Sequence, residues 1–101
     1  MTLNLYLITQ TGEVGYDEYD SAVVVAKSMD DAQKICPCGY YEWSDEEDSW
    51  LFLYDDGRKE KETYPRTDWA NHKDGILVTF IGYASEHLKE GEVVLNSYNA
   101  G

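Results

Sequence analysis

The sequence predicts an α+β fold: a small, mostly antiparallel four-stranded sheet with one short helix and an inserted hairpin, ordered β-β-α-hairpin-β-β. Three observations carry this reading. Short apolar runs of strand character lie near both ends of the chain, one helix-start signal follows the second run, and turn residues punctuate the middle. At 101 residues the chain suffices for a single domain, 1–101, with one modest core. Residues 39–69 differ in character and read as a variable hairpin or loop excursion carried on the sheet.

Leu3, Leu5 and Leu7 alternate with Asn4 and Tyr6, the period-2 pattern of a half-buried strand. A loop is expected from Thr11 to Asp20, where Asp20 or Ser21 would hold the turn through side-chain to backbone bonds. Ala22-Val23-Val24-Val25-Ala26 is a continuous β-branched run, expected as a strand buried on both faces. Ser28 with Asp31 forms a capping-box-like S-x-x-D at a helix start. Asp30 and Asp31 suit the positive end of that helix and Lys34 its negative end. Ala32, Ile35 and Cys36 would face the sheet, and Pro37 stops the helix by disfavouring helical geometry at Cys36.

In the middle, Trp50 to Tyr54, the turn Asp55-Asp56-Gly57, and a polar arm from Arg58 to Tyr64 predict a hairpin ended by Pro65. Ile76 to Ile81 is the strongest strand signal in the chain. A polar loop from Ser85 to Gly91 leads to a last strand, Glu92 to Tyr98.

Twenty acidic residues against eight basic ones give a net charge of −12, which makes the molecule a polyanion. Such a surface repels nucleic acid and anionic lipid and favours a basic protein partner, with steering that weakens as salt rises. No direct nucleic-acid contact is expected. No apolar run approaches the roughly 20 residues that span a bilayer, and Met1 to Ile8 lacks a basic leader region. A cytoplasmic protein with reduced thiols is expected.

Acids and rings are interleaved from Tyr40 to Trp50. Glu42, Asp45, Glu46, Glu47 and Asp48 are the candidate partner-binding residues, with Trp43 as a possible anchor, since interface hot spots draw on Trp and Tyr. The competing reading makes Trp50 and Phe52 core residues of the hairpin and the acids a solvated loop. The run lacks the glycine and spacing of a calcium-binding EF-hand loop.

Cys36-Pro37-Cys38 is the one compact thiol pair, and His72 and His87 are the only imidazoles. Zinc takes four N, S or O ligands, and C-x-C is a weaker signal than the usual C-x2-4-C. A structural zinc held by Cys36, Cys38 and His72, with His87, Asp68 or water fourth, would tie the helix end to the chain entering the strong strand. The alternative is two unligated thiols and two surface histidines. No H-E-x-x-H, no deaminase pattern and no C-x-x-C is present, so no enzyme is expected.

Three stretches resemble a family of small tailed-phage proteins. Gly15-Tyr16-Asp17-Glu18-Tyr19-Asp20-Ser21-Ala22-Val23-Val24 is similar to the family's G-Y-D-x-Y-D-S-A-V-V. Val78 to Ala84 is similar to its V-x-V-x-Y-L-G-x-A strand, and Asn96 to Gly101 to its A-S-F-N-A-G ending. The likeness covers both ends of the chain; the middle, from Tyr40 to about Trp69, departs from it and is longer. Where the family often has His-Pro, this chain has Cys36-Pro37. Small acidic phage proteins of this kind look like host-defence antagonists. The resemblance therefore implies an anti-CRISPR protein that binds Cas9 and blocks loading of target DNA. The alternative is a phage accessory or assembly module with a structural zinc site and no defence role.

Overall fold

A computed structural model of the chain describes residues 2–12 and 17–99. Gly15, Tyr16, Ala100 and Gly101 of the phage-like motifs lie outside the described residues. Seven strands are present among the described residues: β1 (Asn4–Gln10), β2 (Glu18–Ala26), β3 (Tyr41–Ser44), β4 (Ser49–Leu53), β5 (Lys59–Lys61), β6 (Ile76–Tyr83) and β7 (Val93–Asn99). One α-helix, α1 (Met29–Gln33), separates β2 from β3. The strands form a four-stranded antiparallel sheet, ordered β6-β1-β2-β7, and a three-stranded antiparallel sheet, β3-β4-β5. The fold is α+β.

Strand β1 is central and half buried, but on the side its leucines do not occupy. Tyr6 and Ile8 are buried in the core, while Leu5 and Leu7 are half-buried on the opposite face. Both faces of β1 carry apolar groups, so alternation fixes the period and leaves open which face turns inward. Strand β2 begins at Glu18, inside the expected loop, and only its second half is deeply buried: Val24, Val25 and Ala26 are closed off, Val23 half open. Ser21 Oγ donates to Asp20 Oδ1 within β2, in place of the expected turn-holding bonds.

Helix α1 starts where its cap predicts. Ser28 Oγ accepts from the Asp31 N–H at 3.2 Å, and the helix closes at Lys34. It lies against β1, β2 and β6, burying Ala32.

The middle of the chain is more than the expected hairpin. The Trp50 arm and the polar arm pair as β4 and β5, and β3 adds on the far side of β4, with Trp43 opposite Trp50. Nor is it a surface excursion. Tyr41, Trp43 and Trp50 join Tyr6, Ile8, Val24, Ala32 and Trp69 in a single hydrophobic core shared by both sheets. Strand β6, the strongest strand by composition, is an edge: Leu77, Phe80 and Ile81 are each about half exposed. Composition makes a segment a strand; pairing decides where in the sheet it sits.

Candidate functional site: the acidic turn and the thiol pair

The acidic run is divided by its local structure into parts with different roles. Glu42 lies on β3 and pairs with Lys59 across the small sheet. Trp43, the expected surface anchor, is 3% exposed and belongs to the core. Strand alternation accounts for this correction: Tyr41 and Trp43 point inward, and Glu42 and Ser44 do not. Trp50 is buried with it at 2% exposure.

Residues 45–48 form the turn joining β3 to β4. Asp48 adopts φ 51°, a left-handed conformation that Asp tolerates better than most residues, and Ser44 Oγ accepts from the Glu47 N–H at 3.1 Å. Asp45 anchors the turn to the rest of the fold. Its carboxylate accepts from Trp43 Nε1 at 3.1 Å, pairs with Lys34 at 3.1 Å, and pairs with Lys73. Lys73 first and Lys34 second hold the Asp45 carboxyl low, at about 2. Asp48 bonds His72 Nε2 at 2.9 Å. Glu46 and Glu47 remain at the tip, exposed to solvent. The turn is thus a rigidly footed projection whose outermost groups are two carboxylates.

His72 serves this turn. Its ring stands 4.6 Å from the Trp43 ring, and its Nδ1 accepts from the Asp74 N–H at 3.1 Å. With Nδ1 an acceptor, the proton sits on Nε2 and is donated to Asp48.

The cysteines lie elsewhere in the core. Cys36 is buried and Cys38 partly buried, with Sγ atoms 3.1 Å apart, and the Tyr40 N–H points at Cys38 Sγ from 3.4 Å. The hydrogen bond from Cys36 lowers the Cys38 thiol to about 7, against the opposing effect of burial. The same bond, reinforced by burial, pushes the Cys36 thiol up. The expected zinc set of Cys36, Cys38 and His72 is not assembled. Both His72 nitrogens are engaged by Asp48 and Asp74, and among the described residues no three His, Cys, Asp or Glu side chains converge as a metal shell. Two thiols alone supply half of a tetrahedron. No hydrogen bond joins a histidine to either thiol among the described residues.

Two features escaped the sequence reading. Lys34 and Lys73, far apart in the chain, meet on Asp45. A groove of about 400 Å³ between the end of α1 and the β4–β5 turn is edged by Lys34, Arg58 and Lys59. Each of these cations is matched by a carboxylate: Lys34 by Asp30 and Asp45, Arg58 by Asp56, Lys59 by Glu42. No sequence signal marks either feature, because both depend on long-range packing.

No protein-family model, curated protein or solved structure matches this chain. No helix among the described residues is long and apolar enough to cross a membrane.

Proposed function

We propose that the chain is a binding protein that occupies a cationic cleft of a nucleic-acid-handling host protein. From the phage resemblance, we take that partner to be Cas9 and the effect to be obstruction of target-DNA loading. The observation that carries the reading is the acidic turn. Glu46 and Glu47 project into solvent, while Asp45 and Asp48 fix the turn to Lys34, Lys73 and His72. A preformed anionic projection loses little freedom on docking and is drawn to Lys- and Arg-rich grooves that otherwise hold phosphates. Recognition by this reading is carried by carboxylates, since Trp43 and Trp50 are enclosed in the core.

The test replaces the tip and leaves its footing intact. Glu46→Lys with Glu47→Lys keeps every ion pair of the turn and should abolish capture by purified Cas9, with the thermal melt unchanged. Unaltered capture removes the turn from the account. Absence of capture by the native protein removes the partner. Binding carried by the turn also weakens as salt rises.

A second reading, a phage accessory or assembly module, is favoured by a different observation. Away from the buried Val25, the outer face of the four-stranded sheet carries half-exposed leucines, and among the described residues no helix or strand packs over its centre.

A further inference from the structure

The four-stranded sheet has two faces, and helix α1 and the three-stranded sheet use one. The other is read directly from the pairing register. Since Tyr6 and Ile8 point into the core, Leu7 and Thr9 point away from it. Their cross-strand partners share that face. One row runs Thr79–Leu7–Val23–Leu95 across all four strands, and the next runs Leu77–Thr9–Ser21–Ser97. On a molecule of net charge −12, neither row holds a charged residue. Leu77 is 58% exposed and Leu95 67% exposed.

We propose that this face is the interface of a symmetric dimer of the chain. Three arguments select a second copy as the occupant. The first is charge: a basic partner is recruited by carboxylates, and here it would meet none. An uncharged, mixed Leu, Thr and Ser face is matched by a face of the same kind.

The second is shape. A two-fold axis lying between the sheets and along the strands sets β6 of each copy over β7 of its partner. In the second row, that puts the large Leu77 over the small Ser97. In the first, it puts the small Thr79 under the large Leu95. Large meets small at the outer strands of both rows, as interdigitated sheet faces about 10 Å apart require, while at the inner strands the same axis sets Leu7 over Val23 and Thr9 over Ser21. A shallow dimple of about 210 Å³ between β1, β2 and β7, lined by Leu7, Ser21, Val23, Leu95 and Ser97, lies on the half of the face that receives the partner's Leu77.

The third is area. The next pair on this face, Leu5 with Val25, is closed off, since Val25 is fully buried beside Gly91 and Glu92. The two rows therefore span about four residues along four strands, a patch of roughly 19 by 14 Å in projection. A side-chain-covered surface exposes more than its projection, which puts two such patches below the roughly 1,000 Å² in total of a tight interface and in the range of a weak one. The dimer is therefore modest and concentration-dependent.

The proposal is independent of the partner reading, and salt separates the two. Docking of the acidic turn on a cationic cleft weakens with salt. Pairing of two polyanions through uncharged faces strengthens with it, because screening relieves their mutual repulsion.

The experiment is sedimentation velocity of the full chain over a wide concentration range at low and high salt. The native protein should dimerise, more tightly at high salt. Leu95→Glu and Leu77→Lys, both at exposed positions, should each be monomeric with native near-ultraviolet circular dichroism. Mixing Leu77→Lys with Ser97→Glu should restore a heterodimer, because the axis sets those two positions together. A native protein that stays monomeric at every concentration overturns the proposal, as does a dimer that survives both Leu95→Glu and Leu77→Lys. Loss of the dimer in the single variants without recovery in the mixture overturns the two-fold arrangement.

Discussion

Trp43 and Trp50 are direct cross-strand partners on β3 and β4, their ring centroids 5.4 Å apart and their planes inclined at 80°. In sequence these two rings bracket the acidic run; in the fold they form its footing. The four turn residues leave the core at one indole and return at the other. Edge-to-face pairs of this kind contribute about 0.5–1.5 kcal/mol beyond the area they bury. The anionic projection is therefore held in place by aromatic packing beneath it.

Trp43→Ala should accordingly destabilise the protein by about 3–5 kcal/mol, the range for truncating a buried aromatic. Urea titration followed by near-ultraviolet circular dichroism measures this directly. Loss of partner capture in that variant would report unfolding of the turn's base, so it says nothing of contact by the indole. A cost below about 1 kcal/mol, the scale of a surface change, would mean that Trp43 is not packed as described.

The other two indole N–H groups make a matched pair. Trp50 Nε1 donates to the Ala70 carbonyl at 2.8 Å, while the buried Trp69 Nε1 finds no acceptor among the described residues. Trp50→Phe strands a buried carbonyl, at about 1–3 kcal/mol in addition to the lost volume. Trp69→Phe loses similar volume and removes an unsatisfied donor. The Trp50 variant should be the less stable of the two, by thermal melt and by urea titration. The reverse order would contradict the hydrogen-bond assignment.

These tryptophans also mark the limit of what the residues disclose. Local signals were legible: the Ser28 cap, the Gly57 turn and the strand character of β1, β6 and β7 all have short-range causes. The helix expected to run to Pro37, by contrast, already ends at Gln33, because Ile35 bridges to Glu42 of β3 instead. Burial was less so. Tyr41-Glu42-Trp43-Ser44 reads as alternation only once the acids on either side are set aside, and β3 went unread because charge masked a four-residue strand. The inward face of β1 depended on Tyr6 and Ile8 meeting the second sheet, which no local pattern encodes. For the same reason the expected zinc set paired His72 with thiols, when its ring is taken by Trp43 and Asp48. Asp45 looked like one acid among several, yet two distant lysines single it out.

Asp45 gives an acid-stability prediction whose sign is fixed by that pairing. Its carboxyl lies at about 2 in the fold, below an ordinary 3.8. A depressed carboxyl adds stability that is fully present above the ordinary value and is lost as pH falls through the folded one. Asp45→Asn should therefore lower the melting temperature at neutral pH, with the gap to the native protein closing between about pH 4 and pH 2. The site is open to solvent, so added salt should narrow the gap as well. A gap independent of pH would place the effect of Asp45 in its bond to Trp43 Nε1.

The thiol pair yields the sharpest pH prediction. The thiolate is the reactive form of cysteine, and the Cys36 hydrogen bond lowers Cys38 to about 7 while Cys36 itself is pushed up and buried. Alkylation of the native protein should label Cys38 alone, with a rate that rises through a midpoint near 7, followed by mass spectrometry of the labelled peptide. Cys36→Ala removes the donor that comes first among the causes, leaving burial to act on Cys38, so the midpoint should move upward. Cys38→Ser leaves only the enclosed Cys36 and should be nearly inert. If native Cys38 instead titrates near an ordinary 9, the Cys36 proton is not directed at it. The bond from Cys36 Sγ to the Thr67 carbonyl at 3.6 Å then takes that proton, since a single thiol hydrogen serves one acceptor at a time.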